Sequence, residues 1–222
     1  MTSPPPTADR AYTHVRERLL DGRYPGGELL SEGAVATELG LSRTPVREAF
    51  LRLQAEGFLR LYPKRGALVV PVSPGEARSV LQARLLLELF ALDSLAARGA
   101  EALRGTGEGL LEDCARERAE EASPVRALEI ARAFHTRLVR AGDNPVVASM
   151  YETLWDQQIR VFAAATTGRG HAAEDVGEHV AIAEALRAGR AAKARRLLTE
   201  HVAAAQRRAD LGGEPALPPP TQ

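Results

Sequence analysis

Leu39-Gly40-Leu41-Ser42-Arg43-Thr44-Pro45-Val46-Arg47-Glu48-Ala49-Phe50-Leu51-Arg52-Leu53-Gln54-Ala55-Glu56-Gly57 is the stretch that decides the fold. Val46, Ala49, Phe50 and Leu53 fall at i, i+3, i+4 and i+7, the buried stripe of one amphipathic helix. Pro45 suits its first turn, where a missing N–H costs nothing, and Gly57 ends it. Gly40 separates it from a preceding helix, about Glu32 to Leu39, for which Ser31 is the N-cap. Upstream, Tyr12, Val15 and Leu19 share one face of a helix from about Ala8 to Leu20, and an apolar pair, Leu29-Leu30, follows the Pro25-Gly26-Gly27 turn. Downstream, the extended runs Phe58–Tyr62 and Ala67–Val70 are joined by Pro63-Lys64-Arg65-Gly66, a hairpin pattern. Two helices across a glycine turn and then a basic hairpin make a winged helix-turn-helix.

The charge distribution agrees with that reading. The 222 residues carry no formal net charge, yet Arg43, Arg47, Arg52, Arg60, Lys64 and Arg65 face only Glu48 and Glu56 between Ser42 and Gly66. Four excess positive charges in one short stretch matter more for phosphate affinity than the total. Arg43, Thr44, Arg47 and Gln54 flank the apolar stripe. Arg43 and Arg47, four residues apart, project together near the helix N-terminus, the end that meets base edges. Arginine bonds guanine O6 and N7 in bidentate fashion, while the Ser42 and Thr44 hydroxyls suit phosphate oxygens. Lys64 and Arg65 at the hairpin tip reach towards an adjacent groove or backbone. Glu48 and Arg52 are expected to form an i,i+4 pair.

Beyond Pro71-Val72-Ser73-Pro74 the pattern is helical to about Leu211. Ser73, Pro74 and Glu76 supply an N-cap, an N1 proline and an N3 glutamate for a helix reaching about Arg98. Breaks at Gly105/Gly107/Gly109, Ser123-Pro124, Gly142–Pro145, Gly168–Gly170 and Gly189 divide the rest. The expectation is about six helices in an antiparallel bundle. The chain therefore reads as mainly α: disordered residues 1–7, a winged helix-turn-helix over 8–72, an all-α bundle over 73–211, and a disordered tail over 212–222. The single cysteine, Cys114, excludes an internal disulfide and a Cys-rich zinc site. No apolar run is long enough to span a bilayer, and residues 1–7 lack an apolar signal core, so a cytoplasmic protein is expected.

Leu39 to Gly57 resembles the recognition segment of GntR-type regulators. That resemblance implies operator contacts from Ser42, Arg43, Thr44 and Arg47, and from the wing glycine, Gly66. Several members carry a basic residue where this chain has Gly33, which implies fewer phosphate contacts from the preceding helix. The second half resembles the FCD ligand-binding domain of the FadR subfamily. The resemblance rests on Arg84-Leu-Leu-Leu-Glu88, on Phe134-His135-x-x-Leu138 followed by Gly142-x-Asn144-Pro145, and on His179 and His201.

The residues themselves also support a sensing site. His135 shares a stripe with Leu128 and Leu138, His179 with Ile182 and Leu186, and His201 with Leu197. Three histidines on three helices point into one interior, where each would otherwise need its own buried partner. Neutral imidazoles suit a transition metal, zinc or nickel, completed by water or an effector carboxylate. Many family members add an aspartate one turn before the first histidine; this chain has Ala131 there, which leaves open a metal-free pocket whose histidines bond an organic anion. The family's typical effector is a small carboxylate, and Arg84 and Arg160 are the candidates to pair with it.

The implied partners are palindromic double-stranded operator DNA, a small organic acid and a second copy of the chain joined through the helical half. Repression is the family habit. Two other readings compete: a metal-dependent hydrolase on the three histidines, and a helical interaction module without specific DNA binding. Glu129 and Glu178 are the nearest candidate bases, and their helical phase is expected to point them away from the histidines, which argues against an enzyme.

Overall fold

In the computed structural model, residues 6–119, 124–165 and 172–211 are described. The expected tails, 212–222 and most of 1–7, and the expected breaks at Ser123 and Gly168–Gly170 lie outside them. The N-terminal half runs α1 (Thr7–Leu20), β1 (Leu29–Leu30), α2 (Glu32–Leu39), α3 (Arg43–Ala55), β2 (Leu59–Tyr62), β3 (Gly66–Val69). Ser31 caps α2, its side chain accepting from the Ala34 N–H. Gly40 closes α2 in the left-handed conformation, φ 63°, letting the Leu41 N–H reach the Ala36 carbonyl before α3 begins. Val46, Ala49, Phe50 and Leu53 are all fully buried against Val15 and Leu20 of α1.

The wing has three strands, one more than the hairpin expected. The Leu29-Leu30 pair forms β1, antiparallel to β3, in the sheet order β1-β3-β2. Gly66 stands where this third strand crowds the turn. Its φ is 106°, and a Cβ there would lie 2.2 Å from the Leu30 carbonyl oxygen, so the wing requires glycine.

Among the described residues, the C-terminal half is six helices: α4 (Pro74–Ala97), α5 (Ala100–Ala119), α6 (Pro124–Ala141), α7 (Pro145–Ala165), α8 (Ala172–Arg187) and α9 (Ala191–Leu211). Ser73 caps α4 through the Glu76 N–H at 3.1 Å, and Asn144 caps α7 through the N–H groups of Val146 and Val147. The Gly105/Gly107/Gly109 break is a misreading: all three lie inside α5, and the chain breaks instead at Gly99, φ 96°. Gly107 serves packing. A Cβ on it would sit 2.3 Å from the Arg187 backbone nitrogen, so a bare helix face lets α5 lie against α8.

The two halves meet at α7. Ile159 is buried in the apolar core that α1 and α3 build, and α1 packs along α7. Next to it, Arg160 faces Glu76 at 3.2 Å and lies over Gly57, just past the end of α3.

Candidate sensor site and nucleic-acid interface

The basic face of α3 is free for a partner. Ser42, Arg43, Thr44 and Arg47 are all exposed, as are Lys64 and Arg65 at the wing tip; Gly66 holds the wing turn beside them. Ser42 is the N-cap residue of α3 but makes no side-chain cap hydrogen bond, which leaves its hydroxyl free for a phosphate. Arg43 leans back over α2. Its guanidinium lies where a side chain at Gly33 would be, with Nη2 3.3 Å from that Cβ position. The positive charge missing from Gly33 is thus partly restored by the neighbouring helix.

Two residues of this segment do structural work. Arg52 donates to Asp9 at 2.6 Å and covers the Tyr12 ring, so it tethers α3 to α1 in place of the pair expected with Glu48. Tyr12 in turn donates to Glu56. The Gln54 side chain accepts the Leu61 N–H at 2.8 Å, fixing β2 and removing Gln54 from the DNA-facing set.

The second site lies inside the bundle. His135 on α6, His179 on α8 and His201 on α9 are buried, and one ring nitrogen from each falls within 4.8 Å of the others. Nε2 of His135 is 3.1 Å from Nε2 of His179. Two carboxylates orient the rings from behind: Glu88 Oε1 is 3.2 Å from Nδ1 of His135, and Glu178 Oε2 is 2.6 Å from Nδ1 of His201. At His201 the carboxylate holds the proton on Nδ1 and aims the Nε2 lone pair inward; at His135 the Glu88 oxygen is within ion-pair distance but forms no well-formed hydrogen bond to the ring. The expectation that Glu178 points away from the histidines is therefore wrong; helical phase places its Cβ aside, but the long side chain reaches back.

Arg84 occupies the centre of this arrangement. It is 1% exposed, and its Nη2 lies 2.5 Å from His135 Nε2 and 3.2 Å from His201 Nε2. Its Nε donates to Glu88 Oε1 at 2.8 Å, and Tyr151 donates to the same oxygen at 2.7 Å. Burial alone would raise the Glu88 carboxyl's pKa; Arg84, His135 and the Tyr151 hydroxyl hold it far below the usual carboxylate range. Burial, and then the Arg84 charge, push His135 and His201 well below the ordinary histidine value, so both are neutral.

Three converging imidazoles, two of them with a carboxylate behind the ring, suit zinc or nickel by donor type. The guanidinium does not leave room for one. Zinc sits about 2.0–2.1 Å from a histidine nitrogen on the ring's lone pair, and here Nη2 takes the lone pairs of His135 and His201. Ala131, one turn before His135, adds no anionic ligand. With Arg84 so placed, a divalent cation does not fit.

Arg160 does not join this centre; it stands on the other side of α7, against Glu76 and Gly57. Behind the centre, near the Tyr151 that bonds Glu88, α7 also carries Gln158, a residue the sequence reading passed over. Gln158 is fully buried beside Tyr151, and neither of its amide atoms makes a well-formed hydrogen bond among the described residues. The only sequence signal was its spacing of seven from Tyr151, which puts both on one face.

No helix among the described residues is long and apolar enough to cross a membrane. Residues 7–69 match the model of the bacterial regulatory proteins of the gntR family, and residues 79–204 match the FCD domain. A probable D-xylose utilization operon transcriptional repressor of Paenarthrobacter nicotinovorans is 32% identical over 84% of this chain and 81% of its own length. The gluconate operon transcriptional repressor of Bacillus subtilis (strain 168) is 31% identical over 67% of this chain, which spans 60% of that repressor. The chain spans about half the length of an uncharacterized HTH-type regulator from Agrobacterium vitis. Among solved structures, a GntR regulator from Rhodococcus sp. RHA1 shares the fold at 22% identity and a TM-score of 0.64, with 94% of this chain and 99% of that one covered. These families and relatives are transcription regulators, not enzymes. By both of its halves, the chain belongs to the GntR family of bacterial regulators, with an FCD domain following its winged helix-turn-helix.

Proposed function

We propose that this protein is a cytoplasmic transcriptional repressor that binds a palindromic operator as a homodimer and is controlled by a small carboxylate bound in the α4–α9 bundle. The observation that carries the DNA-binding reading is the exposed set Ser42, Arg43, Thr44 and Arg47 at the open N-terminus of α3, beside the exposed wing-tip pair Lys64 and Arg65. Arg47 reads base edges and Lys64 holds phosphate. Affinity then falls steeply with salt as counterions are released. Arg47→Ala is expected to cost about 1–3 kcal/mol on operator DNA and to flatten base preference, whereas Lys64→Ala weakens all sequences alike. Fluorescence anisotropy on operator and scrambled duplexes separates the two. Equal losses on both duplexes for Arg47→Ala would remove it from base reading.

The effector reading rests on what is buried without a full set of partners. An unsatisfied buried amide costs about 1–3 kcal/mol, so Gln158 is best explained as a group that waits for a ligand. Arg84 supplies positive charge for a carboxylate in the same interior, beside His135, His179 and His201. Zinc or nickel on the three imidazoles would require the Arg84 guanidinium to withdraw first. Occupancy would reach the DNA-binding half through α7, which carries Tyr151 and Gln158 on one side and Ile159 and Arg160 on the other. The ligand must favour one arrangement of the two halves, because equal affinity for both shifts nothing.

The dimer face is the exposed apolar pairs of two helices that pack together: Leu86 and Phe90 on α4, Val146 and Met150 on α7. Large apolar side chains left exposed at i,i+4 on neighbouring helices mark an interface, and a two-fold pair matches a two-fold operator. Phe90→Glu/Met150→Glu in the full chain is expected to sediment as a monomer and to lose most operator affinity through lost effective concentration. A dimer at micromolar concentration for this variant would move the interface elsewhere.

A further inference from the structure

We propose that Arg84 is a built-in cation that takes the place of a metal ion in the three-histidine centre, so that this regulator's sensor site works metal-free and excludes zinc and nickel. The inference rests on the reading of that centre as the sensor site. Its basis is a matching of hydrogens to lone pairs. Nη2 of a guanidinium carries two hydrogens, and two imidazole nitrogens face it, at 2.5 Å from His135 and 3.2 Å from His201. A guanidinium only donates, so Nε2 of each ring is the acceptor; Glu178 holds the opposite nitrogen of His201 at 2.6 Å, and Glu88 lies 3.2 Å from that of His135 without a well-formed hydrogen bond. The guanidinium and a metal ion thus need the same two lone pairs. They cannot share them.

Arg84 is also held in place. Its Nε bonds to Glu88, one turn along the same helix, and that oxygen is fixed again by Tyr151 from α7. The face of the Phe162 ring lies 5.7 Å from the guanidinium carbon. Withdrawing the side chain would strand Glu88 as an uncompensated buried anion. An arriving divalent ion would meet a like charge in a low-dielectric interior, and Ala131 offers no carboxylate to offset it. A centre completed by an internal cation needs no metal to hold its rings together, and it brings positive charge to an anionic ligand directly.

The test adds zinc or nickel chloride alone to the full-length protein, with uptake followed by a competing chromophoric chelator and by metal analysis after dialysis. Wild type is expected to retain no stoichiometric metal, and a chelator is expected to leave its operator affinity unchanged. Arg84→Met is expected to bind about one ion per chain, with affinity raised on the order of 100-fold or more once the like charge is gone. Adding His179→Ala should abolish that binding. Arg84→Lys, which keeps the charge, should remain metal-free. If thermal melting shows Arg84→Met unfolded, Arg84→Met/Glu88→Met removes the whole ion pair and serves instead. Tight one-to-one metal binding by the wild type through the three histidines overturns the inference, as does a folded Arg84→Met that gains none. Operator binding is read on the same samples. Metal in a wild type that still binds its operator sinks this inference alone, and loss of operator recognition in a metal-free wild type sinks the repressor reading alone.

Discussion

Replacing Glu88 by alanine is expected to destabilise the bundle by about 3–5 kcal/mol, because it leaves a buried guanidinium without its counter-charge. Glu88 is fully buried and accepts from both Arg84 and Tyr151 while standing behind His135. At 1% exposure Arg84 is shielded from bulk solvent, which cannot readily replace those bonds. Removing both members of the pair is a different matter. Arg84→Met/Glu88→Met takes the charge and its partner together, and a well-packed apolar pair in such a place is often neutral or better. Urea unfolding at pH 7.5, followed by far-UV circular dichroism, gives the comparison: a large drop in midpoint for Glu88→Ala and most of it recovered in the double variant. A Glu88→Ala midpoint within error of wild type would mean that Arg84 finds another partner or leaves the interior, and that the Arg84-centred sensor site is wrong.

The parts of this fold that the sequence made legible are those governed by local rules. Ser31, Ser73 and Gly40 cap where capping chemistry says they should, and the 3.6-residue stripe of Val46, Ala49, Phe50 and Leu53 lands wholly in the core. The three histidines were legible for the same reason, each lying on its helix's apolar stripe. What escaped were features decided between distant segments. Two residues, Leu29 and Leu30, are too short a run to signal a strand, and β1 exists only because β3 lies beside it. Gly105, Gly107 and Gly109 looked like a loop by composition, while α8 needs Gly107 bare within a helix. Glu178 was misplaced because phase locates a Cβ but not the end of a glutamate. Arg84 and Arg160 were both candidates for the effector's charge, and only tertiary contacts separate them. One faces the histidines; the other links α7 to Glu76 and the end of α3.

The second large effect is expected in mild acid. His135 and His201 have pKa values well below the ordinary 6.5, through burial first and the Arg84 charge second. In the unfolded chain both return to that ordinary value. As pH falls below about 6.5, the unfolded state takes up protons that the folded state refuses, so stability must fall with pH. Both histidines contribute to that loss, which continues with each further step down in pH until their folded values are reached. Glu88 acts lower down. Its folded carboxyl is depressed, so its stabilisation is complete above the ordinary 4.5 and is lost only as pH falls beyond that. The two windows are separate, and the histidine one comes first on acidification. Urea midpoints at pH 7.5, 6.5 and 5.5 should therefore decline steeply for the wild type, and His135→Gln/His201→Gln, which cannot take up those protons in either state, should flatten the decline. The same steep loss in that variant would show that other groups set the acid limit, and a flat wild-type profile would show that the two imidazoles are charged or solvated in the folded protein.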